Sequence, residues 1–381
     1  MNRRNFLKFS GRGIILLGGL SMLHACSGIK RDDFPQSNEE KTSIKGLEKE
    51  EMEILHLASL APSGHNTQPW TVQVVEPRHW IIGSDKKRWL PAVDPNNREL
   101  LLGIGAFIEN LVTAAGTFGY KADIQIIAKN PSDFEIADVR LKKDKVQGFP
   151  LEKIKKRRTV RNNYLGQEIK TEDLKYITKH DTRQCLIQAV SPHGFYFPNY
   201  SPQGKYLQEG TIEANRMQAF RNPAQEELAN WIRWSGKEAK QYRNGLTPES
   251  MEIKGIAGLF VRNFYNPQSV LKKDFRDQTV DIVAKQVKTC GGWLVVTSSD
   301  SSIPPLIEYG RVFENMLFRI REKMIAIHPM TQMLEEDPWK KQVAKGLGLT
   351  GEVQWILRIG YLKSYPDPVS LRMPVSWFIQ A

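Results

Sequence analysis

A seven-residue pattern occurs twice in this chain, the second copy 205 residues after the first. Gly105-Ala-Phe-Ile-Glu109-Asn110-Leu111 is answered by Gly310-Arg-Val-Phe-Glu314-Asn315-Met316, with Gly, Glu and Asn at equal spacing and apolar residues between them. The first copy lies in a run from about 99 to 120 that is apolar on most faces, which predicts a long buried helix. The second lies in a long predicted helix over about 306–323. A repeat offset by about half the chain, with strands around each copy, points to two related halves of one fold. At 381 residues there is enough chain for a large core.

The remaining periodicities agree. Leu47, Ile54, Leu55, Leu57, Ala58 and Leu60 suit an amphipathic helix. Strand patterns follow at 71–75, 79–83, 123–127 and 136–141. A helix then leads into Lys155-Lys156-Arg157-Arg158-Thr159-Val160-Arg161, and another is expected over 171–178, opened by a capping-type Thr171-Glu172-Asp173. Further strands are predicted at 186–190, 293–297 and, as the last, 353–361. Helices mixed with several strands give an α+β fold, with helices around mixed or antiparallel sheets. We divide the chain into a first half at 46–150 and a second at 151–381, the second interrupted at about 204–275. That insertion contains Trp231, Trp234, Gly255 and Gly258 and reads as helices with a mobile loop, either a lid or an ordinary surface insertion.

Three stretches can carry chemistry. The loop at 61–70, APSGHNTQPW, places Ser63, His65, Asn66 and Gln68 between a helix and a strand, where a rigid scaffold often holds a site; alone it is also a plain helix-to-strand turn. Arg157 and Arg161, at i and i+4, would share one face of a helix or its frayed end, with the Thr159 hydroxyl between them. Arginine forks match phosphate oxygens, although a basic run of this kind is also a common solvated face. His328-Pro329-Met330 follows the second long helix and is either site-lining or a helix stop. The formal charge of +12 favours anionic partners, but no zinc finger, RNP-like run or basic helix points to nucleic acid. The seven histidines and three cysteines show no metal-ligand spacing, and no metal is expected. Cys185 and Cys290 can form a disulfide in an oxidising compartment or stay as buried thiols. No GxGxxG dinucleotide motif is present.

The loop resembles the nitroreductase family of flavin enzymes, whose first helix ends in an APS-x-x-N-x-QPW loop; Ala61, Pro62, Ser63, Asn66, Gln68, Pro69 and Trp70 match it. Arg157, Thr159 and Arg161 are similar to the family's R-x-S-x-R phosphate motif, with Thr for Ser. Arg358 in the 353–361 strand and Arg372-Met373-Pro374 resemble its closing strand and basic residue before proline. The loop occurs only in the first half and the phosphate motif only in the second. That distribution, with Asp94-Pro95-x-x-Arg98-Glu99 and His328-Pro329-Met330, resembles the Acg-type branch. The resemblance implies a monomer acting as an internal pseudodimer, with one FMN held by Pro62, Ser63, Asn66, Arg157, Thr159, Arg161, His328, Pro329, Met330 and Arg372, and a lid over it. It implies a flavin-dependent oxidoreductase with no catalytic protein residue, passing electrons to a nitro or quinone-type acceptor. The alternative is a protein that stores or sequesters FMN without turnover, and a third reading is a basic surface-binding lipoprotein with a decayed site.

Residues 1–26 resemble a twin-arginine signal: Arg3-Arg4-Asn5-Phe6-Leu7-Lys8, a short apolar run at 13–23, and a lipobox-like Leu23-His24-Ala25-Cys26. The expectation is export to the periplasm with a lipid anchor at Cys26 and a tether over 27–45. An exported enzyme would need an electron donor other than cytoplasmic NAD(P)H, such as a quinol or a redox protein.

Overall fold

The computed structural model describes residues 29, 31–33, 46–179 and 193–380. The expected signal at 1–26, most of the tether, Cys26, Cys185 and the strand at 186–190 lie outside the described residues.

Helix α1 (Lys49–Ala58) buries Ile54, Leu55, Leu57 and Ala58, the stripe that its sequence spacing predicts. Strands β1 (Trp70–Glu76) and β2 (His79–Ser84) form an antiparallel hairpin, Trp70 opposite Ser84. Helix α2 (Arg98–Thr117) follows, its Leu100 N–H capped by Asp94 Oδ2 at 2.9 Å. It is apolar and long enough to cross a membrane, but it is buried inside the fold as a core helix. Strands β3 (Tyr120–Ile126) and β4 (Glu135–Lys143) complete the first set.

The second region begins with the single turn α3 (Glu152–Lys155) and α4 (Thr171–Thr178). Helix α4 has the expected bounds, but its cap is Lys170 and no side chain closes it. After β5 (His193–Pro198) comes the insertion, with α5 (Pro202–Phe220), α6 (Asn222–Trp231), α7 (Gly236–Tyr242), α8 (Gly255–Phe264) and α9 (Pro267–Val270). Helix α10 (Lys273–Lys288) leads to β6 (Gly292–Ser298) and the second long helix, α11 (Ile303–Ile320). Strand β7 (Ile325–Pro329), helices α12 (Gln332–Glu335) and α13 (Trp339–Leu347), and β8 (Glu352–Tyr361) follow. The 353–361 strand is not the last: Ile379–Gln380 form a short β9.

Two sheets result. One runs β3-β4-β2-β1-β9, antiparallel except where β9 lies parallel to β1. The other is the antiparallel order β5-β6-β8-β7. The fold is therefore α+β with mixed and antiparallel sheets, and β9 returns late chain to the early sheet.

The two long helices meet where the repeated pattern lies. A Cβ on Gly105 would stand 2.1 Å from the Ile307 carbonyl oxygen, and one on Gly310 would stand 2.0 Å from that of Leu102. Only glycine allows backbones to approach so closely. The polar residues of the pattern then answer each other. Asn315 donates to Glu109 at 2.9 Å, and Asn110 lies beside Glu314. The contact is thus reciprocal, with corresponding residues of the two copies meeting each other as they would across a two-fold interface.

Candidate functional site

The 61–70 loop is held in costly backbone. His65, Asn66 and Gln68 have φ of 46°, 55° and 53°. Each non-glycine residue in that region costs on the order of 1–3 kcal/mol, so the surroundings must impose it. Gln68 N–H donates to Ser63 Oγ at 2.9 Å. Asn66 Nδ2 donates to the carbonyls of Gly245 at 2.9 Å and Leu371 at 3.2 Å. Gln68 Nε2 donates to the Arg243 carbonyl at 3.0 Å, while its Oε1 accepts from Met373 N–H at 2.9 Å. The loop is therefore clamped by the insertion and by the segment after β8. Pro62 and Ser63 lie against Gly103 of α2, within 4 Å of where its Cβ would stand.

Two arginines from distant parts of the chain converge on the helix end before the loop. Arg372 Nη2 donates to the carbonyls of Leu60 and Ala61, both at 2.9 Å, and its Nη1 donates to Asn66 Oδ1 at 2.9 Å. Arg157 donates to the same Leu60 carbonyl from Nη2 at 3.0 Å and Nε at 3.2 Å. Arg157 Nε also lies 3.5 Å from Glu314 Oε1. Burial pushes the Glu314 carboxyl up to about 7, against the pull of Arg157 and Arg372. Burial, then the neighbouring Arg157, pulls Arg372 well below the usual guanidinium range. Burial and the cations Arg31, Lys155, Arg372 and Arg243 hold His56 down at about 4, so this corner repels further positive charge.

A second patch adjoins it. Arg158 donates to Asp367 O and pairs with Glu252 at 3.2 Å. Arg161 Nη1 donates to Ser250 O at 2.8 Å and its N–H donates to Glu252 at 3.2 Å. Arg358 donates to the carbonyls of Gln286 and Arg161 and lies over the Tyr164 ring at 4.3 Å. His328 stands opposite Arg358 in the β7–β8 ladder. Burial, Arg358 and Arg161 together hold His328 well below its ordinary pKa, as a neutral ring.

The expected site residues are thus partly gathered and partly separated. Asn66, Arg157 and Arg372 share one corner, with Pro62 and Ser63 on its rim. Arg161 and His328 lie in the second patch. Arg157 and Arg161 do not share a helix face, because α3 stops at Lys155 and the following backbone is irregular. Half-buried Thr159 lies between them in sequence. His328 and Pro329 lie on β7, not at a helix stop, and Met330 is buried in a hydrophobic cluster with Leu207, Trp293 and Ile356. Ser63 Oγ serves the loop itself. Sequence reasoning passed over Arg158, Glu252 and Glu314 as site residues; the repeated Gly-x-x-x-Glu-Asn pattern was the available signal for Glu314.

The donor set fits an oxyanion. Five buried or half-buried arginines (Arg157, Arg158, Arg161, Arg358 and Arg372) face two glutamates, Glu252 and Glu314. Arg157 Nη1 and the Nε groups of Arg158, Arg358 and Arg372 are buried without a hydrogen-bond partner among the described residues. Each such donor costs about 1–3 kcal/mol, which an anion with several oxygens would recover. A cavity of about 180 Å³ opens beside Arg157, lined by Lys153, Lys156 and Arg321 and also by Glu152 and Glu322. That is smaller than a typical site for a drug-sized ligand. The 243–252 turn of the insertion sits on both patches through Gly245, Ser250 and Glu252.

No family model matches the chain. The protein acg of Mycobacterium tuberculosis, named as an NAD(P)H nitroreductase, is 38% identical over 79 residues, which is 21% of this chain and 23% of that protein. PigM of a Serratia species, also named as an NAD(P)H nitroreductase, is 38% identical over 72 residues, 19% of this chain and 20% of the relative. The match thus spans about a fifth of the curated relatives' length. A solved nitroreductase-like protein from Bacillus cereus overlaps 62% of this chain and 97% of its own at 12% identity, with a TM-score of 0.35, too loose to fix the fold. The chain has distant, partial similarity to nitroreductases.

Proposed function

We propose that this chain is an exported FMN-dependent oxidoreductase of the nitroreductase kind, binding one FMN between its two halves, which act as an internal pseudodimer. The observation that supports it is the surplus of buried arginine over carboxylate beside a strained, clamped loop. A phosphate monoester carries a charge of about −1.5 to −2 at neutral pH, which matches that surplus in sign and in donor chemistry. Arg157 and Arg372 would hold the phosphate, with Arg161 and Thr159 beside them. Pro62, Ser63 and Asn66 would orient the ring from the loop, and His328 would stay neutral at the second patch. Bound there, FMN supplies electron transfer to a nitro compound, a quinone or another acceptor. The 243–252 turn lies on both patches, so binding requires the insertion to move as a lid. The same contacts favour a second reading, in which the closed insertion shields a stored flavin.

Export rests on the twin-arginine-like start and lipid anchoring on Cys26. Cys26→Ser should remove the mass of a lipid from the exported protein; an unchanged mass removes the anchor. For the site, the test is the absorbance spectrum of the purified protein, followed by anaerobic NADPH, the donor class in the relatives' names. One FMN per chain that bleaches supports the reductase. The same spectrum without bleaching supports the shielded carrier or another donor. No flavin, even after FMN is added, overturns both.

A further inference from the structure

Helix α8 of the insertion turns its apolar side outward. Ile256, Phe260 and Phe264 are 86%, 44% and 68% exposed, and Leu259 is 39% exposed. Positions i, i+4 and i+8 form one stripe along a helix, so these side chains make a continuous patch. Phe260 and Phe264 are in ring contact, with centroids 4.8 Å apart. Gly258 and Val261 are buried, and Arg262 turns inward to Glu249. Large exposed aromatic residues in a row mark a surface that meets something apolar.

From Arg233 to Asp281 there are nine lysines and arginines against six acidic residues, a modest basic excess in which Arg262 and Lys273 are already paired with Glu249 and Asp277. The three glutamates are engaged: Glu238 closes the start of α7, Glu249 pairs with Arg262, and Glu252 pairs with Arg158. Lys237, Lys240, Lys254 and Lys272 stand exposed. Lys254 directly precedes α8, and an apolar stripe with an outward cation at its start suits a helix lying in the plane of an anionic bilayer.

The start of the chain leads to the same part of the molecule. Ile29 Cδ1 lies 3.8 Å from where a Cβ on Gly236 would stand. Trp234, two residues earlier, stacks edge-on with Tyr265 at 5.3 Å, and Tyr265 lies 6.2 Å from Phe260. The expected lipid anchor, Cys26, lies three residues before Ile29 in the sequence.

We propose that α8 is a membrane-docking helix that seats the insertion on an anionic lipid surface. This stands on the exposed stripe of α8 and the outward Lys254 before it and is independent of any flavin. The full-length protein is incubated with vesicles containing phosphatidylglycerol, with pure phosphatidylcholine vesicles and without lipid, and backbone hydrogen exchange is followed by mass spectrometry. The expected result is exchange several-fold slower across 255–264 on the anionic vesicles. The triple variant Ile256→Asp, Phe260→Asp, Phe264→Asp should lose that slowing while exchange in α2 stays unchanged. No slowing in the wild type overturns the proposal, and this holds even if the variant does not fold. Equal slowing on phosphatidylcholine overturns the anionic assignment. Slowing that needs only higher protein concentration, without lipid, means a second copy covers the helix and also overturns it.

Discussion

Glu109 and Glu314 occupy the same place in the two copies of the repeated pattern, yet they do different work. Glu109 is held by Arg311 at 3.1 Å and Asn315 at 2.9 Å, a closed set of partners inside the helix pair. Glu314 has Asn110 beside it and Arg157 at 3.5 Å, and it opens toward the arginine corner. One frame, repeated, thus yields a packed joint on one side and a charged, under-neutralised corner on the other.

The strongest way to break the comparison is to break the joint itself. Gly310→Val should cost about 3 kcal/mol or more, because its Cβ would collide with the Leu102 backbone; thermal melting or loss of soluble protein reads this out. Removing the charge partner on the quiet side comes next. Arg311→Met should cost about 3–5 kcal/mol by leaving Glu109 buried without its cation, yet leave FMN affinity within about twofold in a fluorescence titration. A large affinity change would mean the two sides are not separate.

Glu314→Gln sharpens the contrast through pH. The folded pKa of Glu314 is raised from 4.5 to about 7, so the folded state keeps a proton that the unfolded chain gives up. The corresponding stability is fully present below about pH 4.5 and is lost as pH rises through about 7. The stability of Glu314→Gln relative to wild type should therefore grow between pH 5 and pH 8, by on the order of 3 kcal/mol in denaturant melts. Titrations common to both proteins, His56 and His65 among them, cancel in that difference. A flat difference would sink the reading. The smallest effect is Arg372→Ala, expected to weaken FMN binding by about tenfold. Full retention would remove the phosphate assignment.

The helices α1, α2, α4 and α11 and six strands were legible because each is set by local periodicity, with α2 and α11 within a few residues of their expected bounds, whereas α10, α12, β5 and β7 were not foreseen. Helix α13 was not, since its lysines obscure a stripe of only Val343 and Leu347. The two-residue β9 carries too little pattern to be seen. The loop and Arg372 were legible as separate signals, but their contact was not, because it joins residues 306 positions apart. The split of Arg157 from Arg161 depends on where a one-turn helix ends, and Glu252 reaches the cluster only through the insertion's placement.

The clamp on the loop also sets a schedule. Asn66 and Gln68 leave the ribosome early, in backbone that is unfavourable without support, while Leu371, Arg372 and Met373 emerge about 300 residues later. At roughly 5–20 residues per second, the loop waits some 15–60 s for its partners. Through that interval the loop and its arginine corner are unfinished, so the corner reports that the chain has been made through Met373.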